Sequence, residues 1–155
     1  MLLPLEAEEA DGVLFMARSR QSEKQAGAIA FWNEKICLVS SRGGRRWTIP
    51  KGCLEKGMRQ WEVAAMEAWE EAGLEGRIHT RPFGKYRYSK GGRPWEVDLY
   101  FMEVTSAHRN WPEDNRRKRK WIDPLAIDLW VTHPEVCQAV KSVFTRNSST
   151  NGGNR

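Results

Sequence analysis

Three glutamates, Glu67, Glu70 and Glu71, crowd the stretch Ala64-Ala65-Met66-Glu67-Ala68-Trp69-Glu70-Glu71-Ala72-Gly73-Leu74. A helix turns once in about 3.6 residues, so positions i, i+3 and i+4 share one face. Like charges held there repel by about a few tenths of a kcal/mol per pair. An acidic helical face is most often simply solvated. Here glycines and apolar residues frame the carboxylates, and a hard cation with oxygen ligands is their natural partner. The pattern predicts a helix over residues 60–72, with Trp61, Ala64, Ala65 and Ala68 facing the core and Gly73 ending it. Such small alanines imply close packing on a sheet.

The rest of the chain supplies that sheet. Two apolar runs, 26–32 and 35–41, flank Asn33-Glu34 and read as a hairpin. Residues 47–50 form a short strand leading into the loop before the helix. Further strands are expected over 78–88 and 95–105, joined across Lys90-Gly91-Gly92-Arg93. In the second, Trp95, Val97, Leu99 and Phe101 alternate with Glu96, Asp98, Tyr100 and Met102, the period of a half-buried strand. Lys120-Trp121-Ile122 gives a last strand. Asp123 is placed to cap a helix with Pro124 in its first turn. Thr132 and Glu135 read as a capping box for a terminal helix carrying Val136, Val140, Val143 and Phe144.

With 155 residues, 40% of them hydrophobic, the chain suits one domain with a sizeable core. Residues 1–24 read as an arm in which Val13-Leu14-Phe15-Met16 offers an edge strand; 25–146 form the domain, and the Ser/Asn/Gly-rich 147–155 a disordered tail. No apolar run is long enough to span a membrane, and the first residues lack a secretory pattern. Cys37, Cys53 and Cys137 form no C-x-x-C, and reduced thiols in a cytoplasmic protein are the simplest account.

From Gly52 to Leu74 the sequence resembles the Nudix hydrolases, whose box reads G-x5-E-x7-R-E-U-x-E-E-x-G-U with U aliphatic. Glu67, Glu70 and Glu71 fall on the family's three metal-site glutamates. Met58 stands at the box's first Glu and Met66 at its Arg. Loss of one partner of a partly buried ion pair is costly, whereas exchange of both for apolar side chains is often neutral. The methionines therefore read as a matched swap, with lost catalysis as the alternative. The segment 36–50, Trp111-Pro112-Glu113, and Arg117-Lys118-Arg119-Lys120-Trp121 are similar to the diphosphoinositol polyphosphate phosphohydrolase branch. That branch cleaves phosphoanhydrides in inositol pyrophosphates and diadenosine polyphosphates. The likeness implies an α/β fold, a Nudix-type α/β/α sandwich whose mixed central sheet packs against the box helix and a C-terminal helix.

It also implies Mg²⁺ or Mn²⁺ held by Glu67 and Glu71, with Glu70 as third ligand or as the base that orients water. A backbone carbonyl is expected from Lys51, where the branch has glycine. Such a cation neutralises developing charge and activates water. Glu113, in a loop, is the first candidate for an extra acidic ligand; Glu96 and Asp98 fit a solvated strand face better. By resemblance, Ser41, Arg42, Arg46, Lys118 and Arg119 match the branch's phosphate contacts, with Lys24 weaker. A net charge of +5 despite an acidic site concentrates cations elsewhere. Residues 116–120, with Arg42, Arg45, Arg46 and Lys51, suit a polyphosphate cradle or a solvated basic loop. Tyr86, Tyr88 and Trp95 fit core or hairpin packing better than stacking on adenine.

Three functions remain open. One is a metal-dependent hydrolase of diadenosine or inositol polyphosphates. Another acts by the same chemistry on ADP-ribose or a 5′-triphosphorylated RNA end, where binding to the nucleic acid would be salt-sensitive. The third is a catalytically silent fold that binds polyphosphate or a protein.

Overall fold

The computed structural model describes residues 22–150. Residues 13–16, the anticipated edge strand, lie outside that range. Strand β1 (Glu23–Trp32) runs parallel to the long strand β7 (Arg93–Ala107), in register from Glu23 opposite Trp95 to Phe31 opposite Glu103. Residues 23 and 24, placed with the arm by composition, thus already belong to the sheet. At Asn33-Glu34 both residues take positive φ, 51° and 63°. This is the left-handed geometry of a tight hairpin, and it turns β1 into β2 (Lys35–Ser40) as expected.

Beyond the hairpin β2 leaves β1 and pairs on one side with β3 (Trp47–Thr48), on the other with β8 (Arg119–Ile122). The space left beside the start of β1 is taken by β4 (Lys51–Cys53), with Ala26 opposite Gly52. The outer half of β7 pairs with β5 (Leu74–Ile78) and its inner half with β6 (Gly84–Lys90). The single strand expected over 78–88 is therefore two. Pro82 has no N–H for the ladder, and residues 80–82 loop out between His79 N and Phe83 N, which bond the carbonyls of Phe101 and Leu99.

The helix predicted over 60–72 forms as α1 (Gln60–Ala72). It buries Val63, Ala64, Ala68 and Ala72 against Ala26, Ala28, Ala30, Tyr100 and Met102 of the sheet. Alanines facing alanines bring the backbones close and set the height of the carboxylates above the strands. On the other face, the 3₁₀ turn Pro124–Leu129 and α2 (Pro134–Thr150) cover Ile29, Ile36, Leu99 and Ile122 with Ile127, Val136 and Val140. The result is the expected α/β/α sandwich. Asp123 accepts a bond from Leu125 N, as predicted, but starts the 3₁₀ turn rather than an α-helix. The Glu135 carboxylate meets His133 at 3.3 Å at the head of α2, and that helix continues past residue 147, into the segment read from composition as tail.

Because helices cover both faces, β7 is not the half-buried strand its alternation suggested: Glu96, Val97, Leu99, Tyr100, Met102 and Val104 are all buried. Met58 packs against the core beneath α1 while Met66 stands outside that cluster. Cys37 and Cys137 are buried and Cys53 exposed, all as free thiols. Burial pushes Cys37 up to about 12, which makes it inert.

Gly73 ends α1 with φ 67°, its N–H bonding the carbonyls of Ala68 and Trp69. A Cβ there would also stand 2.9 Å from Trp111 Cβ. Gly73→Ala is expected to lower stability by about 1–2 kcal/mol from backbone strain alone, and by more once Trp111 is displaced. Urea denaturation measures it, and an unchanged midpoint would refute the argument.

Candidate functional site

The loop that follows β7 is fastened to the C-terminal end of α1, whose last carbonyls have no partner within the helix. Glu113 N–H donates to Glu70 O at 3.0 Å, and His108 N–H to Gly73 O at 2.9 Å. Arg119 closes the same end, donating from Nη1 to Ala72 O at 2.8 Å while its guanidinium lies 4.5 Å from the Trp111 ring centroid. These fastenings carry the Glu113 side chain to the acidic face of the helix. Carboxylate oxygens of Glu67, Glu71 and Glu113 all lie within 4.8 Å of one another. Glu70 lines the same cavity but is not one of the trio.

From below, the sheet presses on the cluster through β4. Lys51 N–H donates to Glu71 Oε2 at 3.3 Å, so Lys51 meets the cluster through its amide. Glu67 lies directly on Gly52: an added Cβ would collide with Glu67 Oε1. That contact is the physical reason for a glycine at the start of the box. The cavity over these residues has a volume of about 650 Å³, and Ser41, Arg42, Lys90, Tyr88 and Trp95 contribute to its walls.

Charge is packed tightly here. Burial, then Glu71 and Glu70, push the Glu67 carboxyl up to about 8. Burial also raises Glu71, to about 7, against the opposing pull of Arg117. Arg117 is the residue that spacing did not single out. It reaches Glu71 Oε1 at 3.2 Å, Glu113 Oε1 at 3.1 Å and Ser40 O at 3.1 Å, with its side chain only 12% exposed. Sequence showed it only as one arginine among five basic residues. The donor set is all carboxylate oxygen, and burial first, joined at Glu67 by the neighbouring carboxylates, raises its pKa values. Those properties fit a hard divalent cation.

The basic residues separate by role. Ser41 and Arg42 line the cavity. Arg46 lines a smaller adjoining hollow with Trp47, Tyr86 and His133. Lys118 is exposed, and its backbone amide donates to Ser40 Oγ at 2.9 Å. Lys120 lies over the rings of Trp47 and Trp130, 4.7 and 3.4 Å from their centroids. Lys24, the weaker of the expected phosphate contacts, pairs with Glu96 at 3.2 Å, as does Arg87 at 2.8 Å. Those two bonds, Arg87 first, hold the Glu96 carboxyl below its ordinary range. Glu96 is thus buried and neutralised, not on a solvated face, and neither it nor Asp98 joins the acidic cluster. Of the three aromatics, Tyr86 is 4% exposed and belongs to the core, whereas Tyr88 and Trp95 border the main cavity.

A family model described as the NUDIX domain matches residues 22–141. The chain belongs to the Nudix family, whose hydrolases generally use divalent metals. It is 28% identical over 138 residues to the human diphosphoinositol polyphosphate phosphohydrolase 3-beta, covering 84% of this chain and 83% of that one. Nudix hydrolase 13, mitochondrial, of Arabidopsis thaliana is 26% identical over 115 residues, 67% of this chain. The chain spans 57% of that relative's length. Among solved structures, a Caenorhabditis elegans Ap4A hydrolase superposes with TM-score 0.64 at 20% identity, over 81% of this chain and 99% of that one. A NUDIX hydrolase from Nitrosomonas europaea gives 0.66 at 19% identity, over 81% and 90%. These two likenesses concern the fold.

Proposed function

We propose that this protein is a metal-dependent hydrolase of phosphoanhydride bonds in nucleoside or inositol polyphosphates, acting by attack of water on phosphorus. The observation that carries the reading is the meeting of Glu67, Glu71 and Glu113 within 4.8 Å, on the wall of a cavity that also presents Arg42, Lys51 and Lys90. Mg²⁺ or Mn²⁺, held by Glu67 and Glu71 with Glu113 as a further ligand, supplies Lewis acidity and charge neutralisation when bound.

The chain's own groups do the rest. Glu70, which lines the cavity outside the trio, is the residue we assign to accept a proton from the attacking water and to orient it. Arg42, Lys51 and Lys90 bind phosphate oxygens across the cavity. Gly52 lets the Glu67 carboxylate settle against the sheet. Arg117 keeps Glu71 and Glu113 turned toward one another.

The test is a product assay on diadenosine hexaphosphate, diphosphoinositol pentakisphosphate, ADP-ribose and triphosphorylated RNA, with Mg²⁺ or Mn²⁺ and after chelation. Turnover that requires metal is expected on at least one. Gly52→Ala, which displaces Glu67, is expected to lower kcat by about 10²-fold, the cost of roughly 1 Å of misplacement. Absence of turnover on all four, in folded protein that binds polyphosphate, would make this a silent member of the family. Turnover confined to ADP-ribose or RNA would move the substrate while keeping the chemistry.

A further inference from the structure

Glu113 belongs to no helix or strand, so its place beside Glu67 and Glu71 has to be fixed by the loop around it. That loop closes on itself. Trp111 N–H donates to Asp114 Oδ2 at 3.1 Å, and Asp114 N–H donates to Trp111 O at 3.2 Å. Glu113 lies between these two residues in the chain, so its position follows that of Trp111. The Trp111 ring is seated on the end of α1: a Cβ at residue 73 would stand 3.1 Å from Trp111 Cε3. Its indole N–H is buried and has no hydrogen-bond partner. The ring is therefore held by packing and by the cation that covers it, with no polar anchor of its own.

That cation is Arg119. It stands opposite Val39 in the pairing of β8 with β2, so its backbone is part of the sheet and not of the loop. From there Nη1 donates to Ala72 O at 2.8 Å, and the guanidinium lies 4.5 Å from the Trp111 ring centroid. One planar group thus joins the sheet, the last turn of α1 and the loop that bears Glu113. Arg117 grips Glu71 and Glu113 directly, whereas Arg119 makes no ion pair with any member of the trio. We infer that Arg119 is a positioning residue for the metal centre: by clamping Trp111 over Gly73 it sets how closely Glu113 approaches Glu67 and Glu71, and hence how tightly the trio holds a divalent cation. This rests on the hydrolase reading above, in which the trio is the metal site, and it gives Arg119 a role that needs no contact with substrate.

The test distinguishes this role from a phosphate contact by the same side chain and from a contribution to stability alone. Mn²⁺ is titrated into the full chain without substrate and followed by electron paramagnetic resonance, which requires no turnover. Arg119→Met is expected to weaken Mn²⁺ binding about tenfold or more, the usual cost of losing a group that orients a metal ligand. Arg119→Lys keeps a cation for the ring and a donor for Ala72 O, and should recover most of that loss. In a Glu113→Ala background, Arg119→Met should change Mn²⁺ affinity no further, because the ligand it positions is already gone. Should Arg119→Met not fold, Trp111→Phe carries the same comparison, since a smaller ring holds the cation less well. Independent, additive losses in the double variant overturn the inference. So does a lowered melting temperature with unchanged Mn²⁺ affinity, the mark of a purely structural role. A raised KM for tripolyphosphate at saturating Mg²⁺, again with unchanged Mn²⁺ affinity, assigns Arg119 to phosphate and overturns it too. Failure of the wild type to bind Mn²⁺ at all would sink the hydrolase reading together with the inference, whereas the other three results leave that reading standing.

Discussion

Replacing Glu67 by glutamine is expected to lower kcat on a phosphoanhydride substrate by about 10³-fold or more, equivalent to several kcal/mol of lost charge stabilisation at the reacting phosphate. The same substitution should make the metal-free protein more stable at alkaline pH. The Glu67 carboxyl is pushed from an ordinary 4.5 to about 8 by burial and by its neighbours Glu71 and Glu70. Between those values the native state holds a proton that the unfolded chain has released, so stability falls as pH rises through the window. Metal-free wild type should therefore lose melting temperature from about pH 5 to about pH 8, while Glu67→Gln loses less. Added Mg²⁺ should recover the wild type at the upper end and leave the variant nearly unmoved. Thermal melts across pH, with and without metal, read all of this. A wild-type melting temperature that rises over the same range would contradict the crowding of charge.

Arg117→Met should cost more stability than any other single change in the loop after β7. The side chain bonds two carboxylates and a carbonyl, and is almost wholly buried with them. Removal of one member of such a buried pair typically costs about 3–5 kcal/mol, because the remaining charges stay uncompensated. Lysine should not rescue it, since one ammonium cannot span three acceptors held by a planar fork. Glu71 then loses the main influence that lowers its pKa, and divalent metal should restore part of the deficit by supplying positive charge to the same oxygens. Urea unfolding of Arg117→Met and Arg117→Lys, each with and without Mg²⁺, decides it. A deficit below about 1 kcal/mol, the range of a surface ion pair, would show that Arg117 is dispensable.

What could be read from sequence was what local chemistry dictates. The limits of α1, its glycine stop and the Asn33-Glu34 turn follow from spacing and backbone preference, and the structure has them. Partners brought from afar were not legible. Lys24 and Arg119 look like free cations in a basic chain, yet one is held by Glu96 and the other by the end of α1. The burial of Glu96 was hidden because alternation along β7 says which residues share a face, not whether the opposite face is also covered. Arg117 could have been found only by asking which of five consecutive basic residues turns inward, a question settled by the docking of the loop on Glu70 and Ala72. Pro82, by contrast, was a visible warning that 78–88 is not one strand.

The parallel pairing of β1 with β7 also bears on how the chain comes into being. These strands register residues near 23–31 with residues near 95–103, contacts of long sequence separation that close slowly. During synthesis the strand β1 emerges with partners on one side alone, β2 and β4. Its other side, and the floor beneath the carboxylate helix, stays open until the seventh strand follows. The helix with Glu67 and Glu71 is thus made well before the surface that orients it, and Glu113 arrives later still. A nascent chain therefore lacks the complete acidic trio until most of it has been translated, and interruption anywhere before β7 leaves an apolar strand edge in want of a partner.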